Sequence, residues 1–265
     1  MQTRNENLYD HPKYYDLVFG SDWKAEFDFL KGVFDRYVSG NVTRLFEPAC
    51  GTGRLLMRFG KAGYEVAGND LNTKAVTFCN RRLKRHSLPE SALVGDMCDF
   101  QPTFAGKSKK VDAMFNTINS FRHLRTAAEA EAHLRCVAAG LRKGGVYVLG
   151  LHLTPARGQP LADEESWAAR RGNLSVLSRM WTIETNRRRR VETVGMSFDV
   201  YTPSEQFRLV NTVDFRIYTA RQMADLLKTV PEFEVVATFD FAYDLAQPVQ
   251  IDGLTEDVVY LLRKK

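Results

Sequence analysis

Cysteine is scarce in this chain of 265 residues, and its four copies form no recognisable pattern. No two of them make a Cys-x-x-Cys pair, and the five histidines do not fall near them at the spacing of a zinc site. They lie far apart, at Cys50, Cys79, Cys98 and Cys136. We therefore expect reduced thiols, and neither a disulfide framework nor a bound metal.

Long apolar runs are missing as well. The longest, VYVLGL at residues 146–151, is far shorter than the roughly 20 residues that a membrane-spanning helix needs. The chain starts with the polar segment MQTRNENLYDHPKYYD, which lacks the apolar stretch of a secretory signal. We therefore predict a cytoplasmic protein without a membrane partner.

The excess of positive charge is small. Apolar residues make up 44% and charged residues 26% of the chain, and the formal net charge is +5, as in an ordinary globular protein. Much of the excess falls in two runs, NRRLKRH at 80–86 and NRRRR at 186–190. We expect a solvated helix face for the first run and a hairpin tip for the second. Attraction to nucleic acid would need these charges gathered on one face, and we expect no nucleic-acid partner.

Between residues 41 and 155, short apolar runs alternate with helical patterns. One predicted helix is capped by Asn72, and another is capped by Thr126 and ended by Gly144 or Gly145. Alternation at this spacing indicates βαβ units and a parallel sheet that is covered on both faces. The predicted strands are VTRLFEPA (42–49), YEVAGND (64–70), ALVGDM (92–97), VDAMFN (111–116) and VYVLGLHL (146–153).

Two segments depart from this alternation. Residues 1–40 are rich in aromatic side chains and predict a helical cap segment. Residues 156–217 contain three runs of alternating apolar side chains, which predict an inserted antiparallel sheet that serves as a lid, a dimer surface or both. The α/β pattern returns in residues 218–265, where the short link between two final strands indicates antiparallel pairing. We therefore expect one α/β domain formed by 41–155 and 218–265.

The stretch RLFEPACGTGRLL, residues 44–56, places an acid and a glycine turn between a predicted strand and a predicted helix. A phosphate-binding P-loop requires G-x-x-x-x-G-K-[ST], whereas the chain reads GTGRLLMR from Gly51. A dinucleotide site requires G-x-G-x-x-G, but Leu56 occupies the place of the third glycine. Glu47 would also repel a pyrophosphate. An acid here suits a ligand that carries positive charge, such as the ammonium and sulfonium of S-adenosylmethionine (SAM).

The segment FEPACGTG resembles the first motif of class I SAM-dependent methyltransferases, in which an acid is followed by x-x-x-G-x-G. The resemblance continues through VAGND, LVGDM, FNTINSF and the closing strand pair. It implies an α/β fold with a Rossmann-like, seven-stranded, mostly parallel sheet, helices on both faces, an antiparallel last strand and an inserted small antiparallel β-sheet. It also implies SAM as the cofactor and S-adenosylhomocysteine as the product.

The same resemblance gives roles to residues at successive strand ends. Asp70 would accept hydrogen bonds from the ribose hydroxyls, and Asp96 with Met97 would contact the adenine. The segment that follows the fourth predicted strand would line the methionine end of the cofactor. The full set implied for cofactor binding is Glu47, Ala49, Gly51, Gly53, Asp70, Leu71, Asp96, Met97, Asn116, Asn119 and Tyr15.

Two residues are candidates for contact with the methyl acceptor. Tyr15 follows Tyr14 in the segment YYDLVFG, where the family folds an N-terminal tyrosine over the methionine end; the alternative is that these rings pack the first helix onto the sheet. His123, just past the fourth strand, is a candidate base; the alternative is a surface or helix-capping histidine. Because the sulfonium is already activated, a base is needed only for an acceptor that is protonated at working pH.

The nature of the acceptor is predicted from the segment after the fourth strand. Enzymes that methylate exocyclic amines of nucleobases usually carry [ND]-P-P-[YF] there, whereas this chain reads NTIN at residues 116–119. Small-molecule enzymes of this fold, including glycine and amino-sugar N-methyltransferases, share the aromatic N-terminal segment and the insertion after the fifth strand. We therefore predict methyl transfer to nitrogen or oxygen of a small molecule by in-line displacement (EC 2.1.1.-), in a possible homodimer.

Two other functions stay open at this point. The first is an RNA- or protein-directed methyltransferase that docks through the run Arg187–Arg190. The second is a non-catalytic SAM-binding protein. Binding that weakens steeply with salt would favour the first, and a bound cofactor with no room beside its methyl group would favour the second.

Overall fold

The computed structural model describes residues 1–21, 23–157 and 164–265. Within these residues the α-helices are α1 (Pro12–Phe19), α2 (Trp23–Tyr37), α3 (Arg54–Lys61), α4 (Thr73–Arg85), α5 (Ala127–Gly140) and α6 (Ala220–Lys228). The strands are β1 (Gln2–Asn5), β2 (Arg44–Pro48), β3 (Glu65–Asp70), β4 (Ala92–Val94), β5 (Thr103–Phe104), β6 (Lys107–Ser108), β7 (Val111–Asn116), β8 (Leu141–His152), β9 (Glu165–Arg171), β10 (Leu174–Asn186), β11 (Val191–Tyr201), β12 (Gln206–Arg216), β13 (Phe233–Phe239) and β14 (Asp257–Lys264). Two single turns of 3-10 helix lie at Leu8–Asp10 and Ser120–His123. No helix of the described part is long and apolar enough to cross a membrane.

The central sheet has seven strands in the order β13-β14-β8-β7-β2-β3-β4. β2 pairs in parallel with β3 and β7, β3 with β4, and β7 with β8. The last strand, β14, runs antiparallel to both β8 and β13. The predicted fold class is confirmed.

Helices cover both faces of this sheet because apolar side chains alternate between its two sides. On one face, Leu149 of β8 belongs to a core cluster with Leu134 of α5 and Met223 of α6. On the other face, Val148 of β8 belongs to a cluster with Leu30 of α2. All six residues of β7 are buried, as expected for a strand that is covered on both sides. A ligand therefore has to approach the parallel strands at their ends.

Helix α5 begins as predicted and ends earlier. Thr126 caps it in a reciprocal capping box. The predicted end at Gly144 or Gly145 is wrong, because α5 stops at Gly140 and β8 starts with the next residue. The end of α5 is bound by a distant side chain. Nζ of Lys264 donates to the carbonyl oxygens of Ala138 and Leu141, at 2.6 and 3.0 Å. No sequence pattern near the end of α5 predicts this contact with Lys264.

A second sheet has five strands in the order β1-β12-β11-β10-β9. The three predicted antiparallel strands are β10, β11 and β12, and their predicted apolar face is buried, with Phe198 opposite Leu209 at 0% exposure each. β9 was not predicted; it extends the sheet antiparallel to β10. The part of the predicted insertion at 158–163 lies outside the described residues.

The prediction that residues 1–40 are a helical segment is wrong at its start. The first element is the strand β1, which pairs in parallel with β12. Its sequence, QTRN, has no apolar alternation, so the strand exists because the edge of β12 offers backbone partners. Helix α1 then packs on the second sheet, where Leu17 and Val18 join Phe198 and Leu209 in a third core cluster.

Candidate functional site

The predicted glycine turn follows β2 and leads into α3. Three of its residues have a left-handed backbone: Ala49 (φ 52°), Gly51 (φ 52°) and Gly53 (φ 66°). A side chain cannot replace Gly53, because a Cβ there would collide with Sγ of Cys79 on α4. A Cβ on Gly51 would meet no atom of the described residues within 4 Å, its chain neighbours apart. The turn therefore packs tightly on one side and leaves its backbone open to a ligand on the other.

Glu47 lies near the end of β2, beside this turn. It is 8% exposed, and its Oε2 has no hydrogen-bond partner among the described residues. Burial raises the pKa of this carboxyl well above its ordinary value, although the guanidinium of Arg54 acts in the opposite direction. A buried carboxyl with an unpaired oxygen is stabilised by a cationic donor. The α-ammonium of SAM fits this requirement.

Asn116, the last residue of β7, leaves a second oxygen unpaired. Its Nδ2 donates to the carbonyl oxygen of Pro48 at 3.2 Å, while its buried Oδ1 has no partner in the described part of the chain. Because β7 and β2 are neighbours in the sheet, Asn116 and Glu47 end adjacent strands. Buried oxygens are rarely left unpaired, so two of them at one edge indicate a ligand that carries hydrogen-bond donors.

Asp70 ends β3 on the other side of the glycine turn. Its Oδ2 accepts from the backbone N–H of Gly51 and its Oδ1 from that of Asn72, both at 2.8 Å. Burial raises the pKa of this carboxyl, and the two backbone hydrogen bonds oppose the shift. Each oxygen keeps a second lone pair. The carboxylate is thus oriented and can accept two more hydrogen bonds, as the predicted ribose contact requires.

The residues predicted to contact the adenine lie farther along the same edge. Leu71 is 67% exposed, Met97 is 7% exposed, and Asp96 is exposed. Sequence analysis missed Asn69, whose Nδ2 donates to the carbonyl oxygen of Asp96 at 3.0 Å and holds this segment against β3. An apolar surface and a carboxylate therefore lie next to the ribose-binding candidate, and their contact with adenine stays a prediction.

Asn119 makes hydrogen bonds within the protein that its position in the sequence does not predict. It has a φ of 56°, its Oδ1 accepts from the N–H of His152 at 2.8 Å, and its own N–H donates to the carbonyl oxygen of Gly150 at 3.1 Å. These contacts fasten the segment after β7 to β8. Only the Nδ2 of Asn119 is left for the predicted contact with the cofactor.

Helix α1 is anchored on the glycine turn by Asp16, a residue that sequence analysis missed. Asp16 is 3% exposed, accepts from the Thr52 hydroxyl at 3.0 Å and forms an ion pair with Arg82 of α4. Arg82 also donates to the carbonyl oxygen of Thr52 at 3.1 Å. The prediction of a solvated face for residues 80–86 is therefore wrong for Arg82, whose side chain is 14% exposed.

The N-terminal segment brings two tyrosines to His123. The rings of Tyr9 and Tyr15 lie 5.4 Å apart, and the Tyr9 hydroxyl is 3.2 Å from Nε2 of His123. Tyr14 instead packs against Phe207 of the second sheet, as the packing alternative predicts. Sequence analysis missed Tyr9, although it lies in the same aromatic segment as Tyr15. The two predicted acceptor-side residues thus share one cluster, and their catalytic role stays a prediction.

His123 is neutral at physiological pH. Burial, and then the charges of Arg122 and Arg125, lower its pKa to about 4. Its ring also lies 4.9 Å from that of Phe215. Burial raises the pKa of the Tyr9 hydroxyl well above 10.0, so this hydroxyl keeps its proton while it is hydrogen-bonded to Nε2. Tyr9 and His123 therefore form a hydrogen-bonded aromatic pair in which both side chains are neutral.

A buried ion pair supports the cofactor side. Arg54, the first residue of α3, pairs with Glu26 of α2, with Nη2 2.8 Å from Oε1 and side chains that are 18% and 4% exposed. The Arg54 charge lies close enough to Glu47 and Tyr15 to act downward on the pKa of both. Arg54 and Glu26 are 28 positions apart, and no spacing pattern in the sequence predicts that they form an ion pair.

Comparison with known proteins agrees with this geometry. Residues 46–145 match the family model described as a methyltransferase domain. A dTDP-3-amino-3,4,6-trideoxy-alpha-D-glucopyranose N,N-dimethyltransferase of Streptomyces venezuelae is 31% identical over 143 residues, which is 53% of this chain and 56% of that protein. The chain therefore spans about half the length of this curated relative.

Two solved structures share the fold over nearly the whole chain. A SAM-dependent methyltransferase from Clostridium acetobutylicum superposes with a TM-score of 0.75 at 16% identity, over 97% of this chain and 99% of that one. The sugar N-methyltransferase KedS8 from a Streptoalloteichus species superposes with a TM-score of 0.72 at 18% identity, over 99% and 94%. The resemblance inferred from the glycine motif is supported: residues 46–145 match a methyltransferase-domain model, and the chain has the fold of SAM-dependent methyltransferases.

Proposed function

We propose that this protein is a SAM-dependent methyltransferase (EC 2.1.1.-) that moves a methyl group to a nitrogen or oxygen of a small molecule and releases S-adenosylhomocysteine. The observation that carries the proposal is the pair of unpaired buried oxygens, Glu47 Oε2 and Asn116 Oδ1, beside a glycine turn with an open side. This arrangement attracts a cationic cofactor and repels a phosphate-bearing one. A relative that is an N,N-dimethyltransferase of an amino sugar supports an amine as the acceptor.

The strand ends would hold the cofactor. Glu47 and Asn116 accept hydrogen bonds from its α-ammonium, Asp70 accepts from its ribose hydroxyls, and Asp96 accepts from its adenine amine. When bound, SAM supplies a methyl group that its sulfonium has already activated. The remaining task of the protein is to align the nucleophile and exclude water, and orientation of this kind contributes roughly 7–11 kcal/mol.

The aromatic cluster would receive the acceptor. An amine attacks only in its uncharged form, and the cluster of Tyr9, Tyr15 and His123 is uncharged at neutral pH. Hydroxyls that keep their protons and a neutral imidazole bind a neutral amine by hydrogen bonds without stabilising the ammonium form. We assign to His123 and Tyr15 the positioning of the acceptor nitrogen.

Replacement of His123 by Asn tests this assignment. We expect turnover to fall about tenfold or more, because one buried hydrogen bond of roughly 1.4 kcal/mol is lost from the acceptor side. The dissociation constant for SAM should stay within about twofold. His86→Asn is the matched control, since His86 is exposed at the end of α4. Turnover that does not change in the His123 variant would remove this residue from the site.

The run Arg187–Arg190 gives less support to a macromolecular substrate. It forms the tip of the β10–β11 hairpin, as the sequence predicts. Arg187 donates to the carbonyl oxygen of Pro155 at 2.7 Å, and the Arg190 guanidinium lies 5.0 Å from the ring centre of Tyr218. Two of the four arginines are thus engaged by the chain itself. A docking role would show as RNA or protein binding that weakens steeply with salt.

The decisive experiment is a panel of small amines and alcohols, including amino sugars free and linked to nucleotides, assayed for release of S-adenosylhomocysteine. We expect turnover with an amine. If calorimetry shows SAM binding but no compound raises release above background, the non-catalytic alternative replaces this proposal. If a nucleotide binds and SAM does not, the cofactor assignment falls as well.

The organisation around the site is part of the proposal. Leu17 and Val18 of α1 share a core cluster with the second sheet, which supports a common cover formed by the N-terminal segment and residues 156–217 over the domain of 41–155 and 218–265. The cytoplasmic location, the possible homodimer and the lack of a nucleic-acid partner stay predictions of the sequence.

A further inference from the structure

A second histidine lies at the acceptor end of the sheet, paired with a carboxylate. His152 is the last residue of β8, Asp257 is the first residue of β14, and the two are direct partners in the antiparallel pair. Nδ1 of His152 lies 2.5 Å from Oδ1 of Asp257. Because β8 runs parallel to β7, this pair lies at the same edge as the ends of β2 and β7.

The hydrogen bond fixes which imidazole nitrogen carries the proton. An ionised carboxylate accepts hydrogen bonds and donates none, so Nδ1 of His152 must be the donor to Asp257. In the neutral ring this leaves the lone pair on Nε2. The side chains of His152 and Asp257 are 43% and 45% exposed. A proton taken up by Nε2 therefore has a path to solvent.

The ring of His152 is held in place from several sides. Phe241 meets it edge-on, with ring centres 5.0 Å apart and planes at 68°. The backbone N–H of His152 donates to Oδ1 of Asn119. Since Asn119 belongs to the segment that follows β7, the backbone of His152 is attached directly to the segment expected to line the methionine end of the cofactor.

The two histidines at this edge have opposite surroundings. His123 lies between the positive charges of Arg122 and Arg125, and its Nε2 already bonds the Tyr9 hydroxyl. His152 faces a carboxylate and keeps Nε2 free of any partner among the described side chains. The two imidazoles therefore differ in hydrogen bonding: Nε2 of His123 is already bonded to the Tyr9 hydroxyl, whereas Nε2 of His152 is open to a ligand.

We infer that His152 is the general base for the methyl acceptor and that Asp257 positions it. The inference rests on the proposed function. An ammonium gives one proton to Nε2 of His152 and becomes a free amine. The nitrogen lone pair then forms the bond to the methyl carbon while the electrons of the S–CH3 bond return to sulfur. The imidazolium, which stays hydrogen-bonded to Asp257, releases its proton to solvent.

The test compares His152→Asn with the wild type at several pH values. Asparagine keeps an N–H donor for Asp257 but cannot take up a proton. We expect kcat to fall about 100-fold at pH 7, the lower range for general base catalysis, with the KM of the acceptor and the affinity for SAM within about threefold. The loss should shrink as the pH rises, because solution then supplies the free amine. The titratable groups that face the imidazole are Asp257 and, beyond Phe241, Tyr243.

Two further variants separate a base from a structural residue. Added imidazole should restore part of the activity of His152→Ala, because the site is open to solvent. Asp257→Asn should lower kcat by about tenfold and should not respond to imidazole. His86→Asn, far from the pair in an exposed helix end, should behave as the wild type.

Each outcome decides a different claim. A loss in His152→Asn that is equal at all pH values and is not rescued in His152→Ala would mean a structural role and overturn the inference. If the wild type methylates alcohols but not amines, the amine is wrong as the acceptor. The ratio of kcat in the His152 variant to kcat in the wild type then still tests whether His152 is the general base. A wild type that transfers methyl to no acceptor overturns the proposed function and this inference with it.

Discussion

Two groups of side chains at the carboxyl ends of the parallel strands differ in their ionisable groups. The cofactor half contains Glu47, Asp70 and Asn116, and the acceptor half contains Tyr9, Tyr15 and His123. On the cofactor half, burial raises the pKa of Glu47 and of Asp70, and an oxygen of Glu47 stays unpaired. On the acceptor half, burial lowers the pKa of His123 to about 4 and raises that of Tyr9, so both groups are neutral at pH 7. Burial thus disfavours the ionised form of the carboxyls on one half and of the imidazole and phenol on the other. A bound cation would restore the ionised form of the carboxyls, whereas an uncharged nucleophile would leave His123 and Tyr9 neutral. The two halves therefore differ in the residue types that they bury, which suits the proposed pair of a cationic cofactor and an uncharged nucleophile.

The two halves also differ in origin. The cofactor half is built from the ends of adjacent parallel strands and one turn between Glu47 and Gly53. The acceptor half is assembled from the N-terminal segment, the 3-10 turn at Ser120–His123 and the second sheet, which are far apart in the chain. Asp16 joins the halves, because it ties α1 to the glycine turn.

The largest expected effect is on stability, from Asp16→Asn. The variant leaves Arg82 with an uncompensated charge in a largely buried place, and breaking a buried pair in this way costs about 3–5 kcal/mol. Denaturant unfolding should show a loss of that order. Asp225→Asn is the control: Asp225 is exposed on α6 beside Lys228, and the free energy of unfolding should change by no more than about 0.5 kcal/mol. A loss below about 1 kcal/mol for Asp16→Asn would mean that the halves are joined elsewhere.

The next effect is on cofactor binding, from Glu47→Gln. A hydrogen bond to a charged group contributes about 1.5–3 kcal/mol, so the affinity for SAM should fall by roughly 10- to 150-fold. Calorimetry measures this directly. Asp99→Asn, in an exposed position beyond the adenine segment, is a suitable control. Unchanged affinity in Glu47→Gln would contradict the reading of the unpaired oxygen.

The same variant predicts a pH dependence without ligand. Folding raises the pKa of Glu47 above its ordinary 4.5, so its contribution to stability is fully present below pH 4.5 and is lost as the pH rises through the folded-state pKa. Glutamine does not ionise. The Tm of Glu47→Gln minus that of the wild type should therefore increase from pH 4.5 upward. A difference that stays flat would mean that the carboxyl is not desolvated.

The smallest effect comes from a matched pair of glycine variants, Gly51→Ala and Gly106→Ala. Both positions have a left-handed φ, of 52° and 75°, and at neither would a Cβ come within 4 Å of another described residue, the chain neighbours apart. Both variants should lose about 1–2 kcal/mol of stability from backbone strain. Gly51→Ala should in addition bind SAM at least tenfold more weakly, because its Cβ enters the ligand space. Equal SAM affinity in the two variants would place the cofactor away from this turn.

Much of the fold could be predicted because its signals are local. The strands of the central sheet are continuous apolar runs, and the N-caps Asn72 and Thr126 are specified within four residues. The strand β1 and the end of α5 could not be predicted, since both depend on partners more than 100 residues away, the edge of β12 and Lys264.

The candidate site divides in the same way. The proposed cofactor half could be predicted from sequence, because parallel strands bring Glu47, Asp70 and Asn116 to one edge wherever their apolar runs form a sheet. Tertiary structure alone decided that Tyr9 meets His123, that Asp16 meets Thr52 and that His152 meets Asp257. The reason is physical: strand ends follow from short-range pattern, whereas these contacts arise only after distant segments pack and exclude water between them.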